Sequence, residues 1–148
     1  MSIIEQIDQQ IKEALKAGEK EKLTTLRGLK SDIKYKQIDQ KDPLTEQQVI
    51  EVLGSCAKKR RDSIEMYEKG GRDDLVQKEK TELALIESYL PEQLGEDELR
   101  KMVAAAIEES GADSPQKMGL VMKVLMPKVK GKADGKLVNK LVSELLSK

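Results

Sequence analysis

Apolar residues recur at every third or fourth position along almost the whole chain, which is the spacing of one face of an α-helix. The pattern predicts seven helices. The first begins at a capping box of Ser2 and Glu5 and ends near Gly18. The second covers about residues 19–40 and ends before Pro43. The residues expected to face inward are Ile4, Ile7, Ile11 and Leu15 in the first helix, and Leu23, Leu26, Leu29 and Ile33 in the second.

The third and fourth helices are predicted to form a hairpin. Thr45 and Gln48 cap the third helix, and Gly70-Gly71 end it. The fourth covers about residues 73–89. Because glycines permit a tight chain reversal, we expect these two helices to lie antiparallel and to pack against each other.

Three shorter amphipathic helices follow Pro91. The fifth covers about residues 96–110. Ser114 as cap and Pro115 at the first helical position begin the sixth, and Asp134 caps the seventh. Three short helices joined by short loops are typical of a small bundle.

The sequence therefore predicts an all-α protein in two domains: an N-terminal helical, hairpin-type domain over residues 1–90 and a C-terminal three-helix domain over residues 91–148. No segment shows the alternating pattern of a strand. The N-terminal MSIIEQIDQQ lacks the basic-then-apolar pattern of a signal peptide. No apolar segment approaches the roughly 20 residues that span a bilayer. We expect a soluble, cytoplasmic protein with no membrane partner.

Charge and composition limit the kinds of function. Charged residues make up 36% of the chain, yet 27 Lys and Arg equal 27 Asp and Glu. This balance argues against a general DNA-binding protein, so any basic surface must be local. The chain has no Trp, no Phe and three Tyr, too few for an aromatic platform that stacks single-stranded bases.

Catalytic and metal chemistry have few candidate residues. The chain has no His and one Cys, which excludes zinc sites and His-based acid–base chemistry. Cys56 lies on the apolar side of the third helix, and we expect it in the core. The sequence therefore predicts no catalytic residue, no metal site and no cofactor.

One cation interrupts the apolar line of the third helix, and one anion interrupts that of the fourth. These residues are Arg60 and Glu79. Folding the hairpin brings Arg60 to the height of both Glu79 and Glu82, within about 3 Å of helix rise. Because a buried guanidinium without a partner is costly, we predict a structural ion pair between Arg60 and one of these carboxylates. The cations beside Arg60 lie off the apolar line and are expected on a solvated face rather than a binding surface: Lys58, Lys59 and Arg61.

The end of the chain has a distinct charge pattern. Residues 115–148 contain eight lysines against Asp134 and Glu144, a net charge of +6. Four of these lysines surround two glycines just before the seventh helix: Lys128, Lys130, Lys132 and Lys136. Lysines beside the amides of a helix N-terminus can hold phosphate oxygens. The loop is therefore a candidate nucleic-acid-binding site. A plain solvated loop is the other interpretation, and Asp134 competes for the position that an anion would occupy.

The stretch KKRRDSIEMYEKGGRDDLVQKEKTELALIESYLPEQL, followed later by GLVM, resembles the YqeY family of small bacterial proteins, in the GatB/YqeY group. The resemblance runs over the whole chain. It implies an N-terminal helical domain followed by a three-helix domain. It also implies kinship with the tail of the B subunit of the glutamine-dependent aspartyl/glutamyl-tRNA amidotransferase and with a module of some glutaminyl-tRNA synthetases. In those relatives the tail is expected to contact tRNA, while other domains carry the amidation chemistry.

The family also carries an inherited label of carbon–nitrogen ligase with glutamine as amido donor. Amide transfer needs an activated nucleophile and a metal-held nucleotide. The sequence has no Ser-Lys-Ser or Cys-His arrangement and no Gly-rich phosphate loop after a strand. We therefore expect no catalysis by this chain alone.

Two hypotheses for function follow. In the first, the chain is a tRNA-binding accessory module whose C-terminal lysines contact the RNA backbone. In the second, it is an adaptor that docks on an aminoacyl-tRNA synthetase or an amidotransferase subunit through an apolar helix face. The lysine-rich loop favours the first, whereas zero net charge and the lack of aromatic residues leave room for the second.

Overall fold

The computed structural model describes residues 1–147, and within them the chain forms seven α-helices and no strand. The all-α class is confirmed. Lys148, one of the eight C-terminal lysines, lies outside the described residues. The helices are α1 (Ile3–Ala17), α2 (Lys20–Ile38), α3 (Glu46–Lys69), α4 (Asp73–Glu87), α5 (Glu96–Ser110), α6 (Met118–Val129) and α7 (Gly135–Leu146). None of the described helices is both long and apolar enough to cross a membrane.

Two of the predicted helix starts have the hydrogen bonds of a capping box. Ser2 Oγ accepts from Glu5 N at 3.2 Å, and Ser2 N donates back to Glu5 Oε2. Thr45 and Gln48 exchange the same pair of bonds at the start of α3. Gly18 ends α1 with φ of 72°, in the left-handed region that glycine adopts without strain. Short-range sequence signals therefore fix these ends.

The start of α6 differs from the prediction. A single 3₁₀ turn, Pro115–Lys117, precedes the α-helix, and the side chain of Ser114 makes no capping hydrogen bond. Asp113 instead forms an ion pair with Lys117 at 2.8 Å. Proline begins the turn as expected, because its fixed φ suits a first helical position.

The chain divides into two compact units, Met1–Leu90 and Pro91–Lys148. The core of the first is centred on Ile7, Leu26 and Leu53, which are almost completely buried. The prediction for Leu15 is wrong: the pattern places it on the inward face of α1, but it is 60% exposed, and Ala14 is buried in its place. Each residue advances the helix by about 100°, so Leu15 lies well to one side of the face on which Ala14 packs.

The second unit encloses a separate core between α5, α6 and α7. Its buried residues are all apolar, as the three amphipathic patterns predicted: Leu99, Val103, Ala106, Ala112, Val121, Leu125, Val129, Val138, Leu141, Val142 and Leu146. Charged side chains of this unit are therefore left for its surface, where the lysine-rich loop lies.

Candidate nucleic-acid interface

The loop between α6 and α7 begins with a hydrogen-bonded turn. Lys132 N donates to Val129 O at 2.8 Å. Lys130 has φ of −58° and ψ of 124°, and Gly131 has φ of 78°. These are the angles of a type II turn, in which the third residue needs a positive φ. Gly131 therefore has a conformational role, since the turn positions the lysines on either side of it.

The segment before α5 holds this turn from the other side. Gln93 Nε2 donates to Gly131 O at 2.9 Å and to Pro91 O at 2.8 Å. Leu94 N donates to Lys132 O at 2.8 Å. Two consecutive carbonyl groups of the loop thus have donors from one short segment. The backbone that carries the lysines is fixed at these two points.

The four candidate lysines are all exposed, but they differ in their partners. Lys128 Nζ lies 3.2 Å from Glu109 Oε2 of α5. Lys130 and Lys136 also have interaction partners within the protein. Lys132 has no carboxylate partner among the described residues. The structure therefore places the four cations at one end of the unit, with part of their charge already engaged.

The N-terminus of α7 is occupied by the protein's own carboxylate. Asp134 precedes the helix with extended backbone angles, and its Oδ1 accepts from Lys136 N at 3.4 Å. A carboxylate at this position is favourable because the first amides of a helix carry partial positive charge. An RNA phosphate would therefore have to bind through the lysine side chains rather than these amides.

The other predicted charged contact lies between α3 and α4. Arg60 Nε is 3.3 Å from Glu82 Oε2, and the two side chains are 24% and 21% exposed. Nε is shielded from water, and the contact lacks the alignment of a hydrogen bond, so the attraction is ionic. Of the two carboxylates expected, Glu82 makes the ion pair. Glu79 stands nearby, and its pKa is raised by burial and by the charge of Glu82, an effect that Arg60 opposes.

Arg61 corrects the sequence-based interpretation. It was grouped with Lys58 and Lys59 on a solvated face, but its guanidinium lies 3.2 Å from Glu87 Oε1 of α4. Both partners are half-buried. Arg61 lies off the apolar line of α3 but still faces α4, because the hairpin buries a wider face than the line alone. Lys58 and Lys59 are exposed, as expected.

Cys56 is buried in the core of the first unit, where its thiol donates to Asp32 Oδ2 at 3.2 Å. Burial and the adjacent Asp32 carboxylate raise the pKa of the thiol to about 11. The thiolate is the nucleophilic form of cysteine, so this environment suppresses its reactivity at neutral pH. Cys56 serves packing.

A groove of about 1090 Å³ is lined by the first turns of α2 and by residues of α4. Four carboxylates and three lysines line it, with Thr24 on the α2 side and Thr81 on the α4 side. Because both signs of charge are present in similar number, the lining does not select an anionic or a cationic ligand.

Comparison with known proteins identifies the family. A family model described as Yqey-like protein matches residues 4–146. This chain belongs to the YqeY family. The resemblance carried by the KKRR to PEQL stretch is therefore confirmed over nearly the full sequence.

Several known proteins match parts of this YqeY chain. "Altered inheritance of mitochondria protein 41, mitochondrial" of Eremothecium gossypii is 41% identical over 85 residues, covering 57% of this chain and 46% of the relative. The protein of the same name from Kluyveromyces lactis is 39% identical, covering 56% and 45%. That of Pyrenophora tritici-repentis is 28% identical, covering 87% and 72%. The chain thus spans about half the length of the first two relatives.

These relatives contradict the cytoplasmic localisation expected from the sequence. All three are named as mitochondrial proteins. The expectation rested on the lack of a signal-peptide pattern and of a membrane-spanning segment, and neither feature specifies one compartment. The prediction of a cytoplasmic protein is therefore wrong.

Proposed function

We propose that this YqeY protein is a tRNA-binding accessory module, related to the glutamine-dependent tRNA amidotransferases and without catalysis of its own. The observation that carries the proposal is the loop after α6, where four exposed lysines project from a backbone held by a type II turn and by Gln93 and Leu94. A fixed backbone lowers the entropy cost when the lysines bind a phosphate chain. The surface suits the RNA backbone rather than base edges, because lysine contributes point charges.

The existing ion pair of Lys128 does not exclude this role. Lys128 and Glu109 are 52% and 60% exposed, and an exposed pair of this kind contributes about 0–1 kcal/mol. A phosphate group can therefore replace Glu109 with little loss of free energy. The neutral charge of the whole chain predicts modest affinity that weakens steeply with salt.

The experiment compares tRNA binding by the parent and by a variant with Lys128, Lys130, Lys132 and Lys136 all changed to Gln. Binding of the variant should weaken about equally across tRNA species, because phosphate contacts carry no sequence information. The slope of log affinity against log salt should flatten by up to about 0.9 for each lysine–phosphate interaction that the substitutions remove. Fluorescence anisotropy over a salt series measures both quantities.

The matched control changes four exposed lysines elsewhere to Gln: Lys12, Lys69, Lys80 and Lys101. It removes the same total charge but leaves the loop intact, so it should bind like the parent. A second comparison, Lys58→Gln with Lys59→Gln, tests the rival cations of α3. Equal reductions of affinity in the loop variant and the control would refute a local site.

A role as an adaptor is the second candidate, favoured by an apolar surface on α6. Leu120 and Met126 are 50% and 36% exposed, and Pro127 is exposed beside them. Pro127 lies within about 20° of Leu120 around α6 and Met126 about 120° from it, so the three bound a broad outward face that excludes the core residues Val121 and Leu125. Such a face can dock on a synthetase or amidotransferase subunit. Leu120→Glu with Met126→Glu should abolish co-elution with the purified partner, while tRNA binding by the parent in the absence of any partner would favour the first proposal.

A further inference from the structure

The outward face of α2 is a second concentration of positive charge. Lys20, Arg27 and Lys34 follow one another at intervals of seven residues. Seven residues are almost two helical turns, so the three side chains lie nearly in line, about 10 Å apart. All three are exposed. We call this surface, with the residues between them on the same side, the α2 basic face: Lys20, Thr24, Arg27, Gly28, Ser31, Lys34, Tyr35 and Ile38.

The α2 basic face contains no acidic residue. The two carboxylates of α2 are Glu21 and Asp32. Glu21 is turned by about 100° from Lys20 and Asp32 by about 140° from Arg27, and both carboxylates border the face on its Gly28 side, about 20° and 40° from Gly28. Asp32 also accepts the hydrogen bond of the Cys56 thiol. The line of cations from Lys20 to Lys34 is therefore uninterrupted along about 20 Å of helix, with the two carboxylates to one side of it.

Within the described residues, the three cations of this face have no ion-pair partner, as is also true of Lys36, whereas Lys22 and Lys30 of α2 have one. Lys22 pairs with Glu19 at 3.9 Å, and Lys30 pairs with Asp8 of α1. In contrast, no carboxylate of residues 1–147 forms an ion pair with Lys20, Arg27 or Lys34. None of these three residues forms an ion pair in the described part of the chain, although Lys20 lines the groove that contains four carboxylates, whereas three of the four loop lysines have partners.

The residues between the cations are small, and two exposed apolar side chains follow them. A Cβ added at Gly28 would meet nothing within 4 Å, so no internal packing requires glycine there. Gly28 therefore leaves the surface low between the cations, as the equally open Gly54 and Gly119 do in their own helices. Tyr35 and Ile38 are 72% and 78% exposed. An exposed tyrosine can stack on an unpaired base.

We propose that the α2 basic face binds the phosphate backbone of RNA. Three unpaired cations about 10 Å apart can each contact a separate phosphate group, and the low profile of Thr24, Gly28 and Ser31 lets the backbone approach the helix. Tyr35 adds one stacking contact at the edge of the face. This site shares the RNA ligand of the proposed function but uses a different surface, and neither site requires the other.

The test uses the full chain with a fluorescein-labelled bulk tRNA preparation. The variant changes Lys20, Arg27 and Lys34 to Gln, a residue of similar helix propensity that keeps α2 folded. Its affinity should fall by about tenfold or more near 100 mM salt, and the salt slope should flatten by about 2 to 3. The matched control changes Lys69, Lys80 and Lys117 to Gln, which are exposed and already paired with carboxylates. It should bind within about twofold of the parent.

A second pair of variants tests the surface without removing any cation. Gly28→Glu places bulk and negative charge in the middle of the α2 basic face, and it should weaken binding at least as much as the triple change. Gly119→Glu on α6 is the control, because a Cβ there also meets nothing within 4 Å. Ultraviolet cross-linking should attach RNA to the peptide that contains Tyr35.

The outcomes separate this proposal from the proposed function. If the α2 variants bind like their controls while the loop variant binds more weakly, the α2 site is wrong and the loop site stands. If only the α2 variants bind more weakly, the α2 site stands and the loop site is wrong. If the parent protein binds no tRNA at low salt, both proposed RNA sites are wrong. This holds also if an acidic protein proves to be the partner of the α2 basic face.

Discussion

The two compact units of this YqeY protein treat charge in opposite ways. In Met1–Leu90, the interface of α3 and α4 contains half-buried ion pairs of Arg60 and Arg61. In Pro91–Lys148, the buried residues are apolar throughout, and the charges lie outside. The first unit pairs charges inside a helix interface, whereas the ion pairs of the second unit, such as Lys128 with Glu109, lie on its surface.

This difference shows how each unit favours one arrangement of its helices. Sliding α4 along α3 by one turn would separate Arg60 from Glu82 and Arg61 from Glu87, leaving charges partly desolvated. Because an unpaired buried charge is costly, the pairs favour one register of the hairpin. The ion pairs between helices of the second unit, Arg100 with Glu144 and Lys128 with Glu109, are more exposed. That unit therefore depends more on the fit of its apolar side chains.

The largest expected effect is on the apolar core of the second unit. Leu141 is fully buried, so Leu141→Ala should lower the free energy of unfolding of that unit by about 3 kcal/mol. All three tyrosines lie in residues 1–90. In urea, the part of the far-UV circular dichroism transition that comes from the second unit should therefore shift to lower concentration, while the tyrosine fluorescence transition stays in place.

The control for this prediction is Leu120→Ala, which changes a half-exposed leucine of the same unit and should have little effect. A tyrosine transition that shifts together with the circular dichroism would show that the two units unfold as one. The division at Leu90 and Pro91 would then have no thermodynamic meaning.

The second prediction uses Cys56 as a reporter of the first unit alone. With its pKa raised to about 11, the thiolate fraction at pH 8 is about 10²-fold smaller than for an ordinary thiol. Alkylation of the folded protein should be slower than in urea by at least that factor. Asp32→Asn should lower the pKa of the thiol, because it removes a carboxylate that raises it, and should speed the reaction.

Adding Leu141→Ala to this assay tests whether the two units open separately. If the units open separately, the alkylation rate of Cys56 should equal that of the parent, although the second unit is destabilised. A parent protein that reacts as fast when folded as in urea would show that Cys56 is accessible, against its burial.

Sequence signals were sufficient where neighbouring residues decide the structure. The capping boxes at Ser2 and Thr45 and the left-handed end of α1 at Gly18 depend on residues within a few positions. The height of Arg60 and Glu82 followed from helical rise and a known turn, since the hairpin brings nearby residues together.

Contacts between distant helices were not predictable in the same way. Tyr89 is buried, and its hydroxyl donates to Gln10, 79 residues earlier. Nothing in either local sequence indicates that the end of the first unit returns to α1. The α2 basic face was not predicted for another reason. Exposed lysines and arginines are common on any helix, and the sequence alone does not show which of them, like Lys22 and Lys30, pair with carboxylates.

The third prediction concerns the ion pair of the α3–α4 hairpin. Arg60→Ala should lower the free energy of unfolding of the first unit by about 2 kcal/mol, between the values for exposed and fully buried pairs. Lys59→Ala, at an exposed neighbouring position, should cost much less. A double-mutant cycle with Glu82→Ala, followed by tyrosine fluorescence in urea, measures the coupling. Additive effects of the two changes would contradict a direct pair.

The smallest expected effect concerns Glu79 and its dependence on pH. Burial and the charge of Glu82 raise the pKa of Glu79 above its ordinary value of 4.5. For an acid with a raised pKa, the folded state binds more protons than the unfolded state, so stability falls as pH rises between the two pKa values. Glu79→Gln removes this loss.

Near neutral pH, Glu79→Gln should therefore increase the free energy of unfolding of the first unit by less than about 1 kcal/mol, because water screens a half-exposed group. The gain should disappear at pH values below the ordinary pKa, where Glu79 is protonated in both states. Glu82→Gln is the matched control and should destabilise at neutral pH, since it deprives Arg60 of its partner. Equal responses of the two variants would mean that Glu79 and Glu82 share Arg60 equally, and the hairpin would then have only one defined pair, that of Arg61 with Glu87.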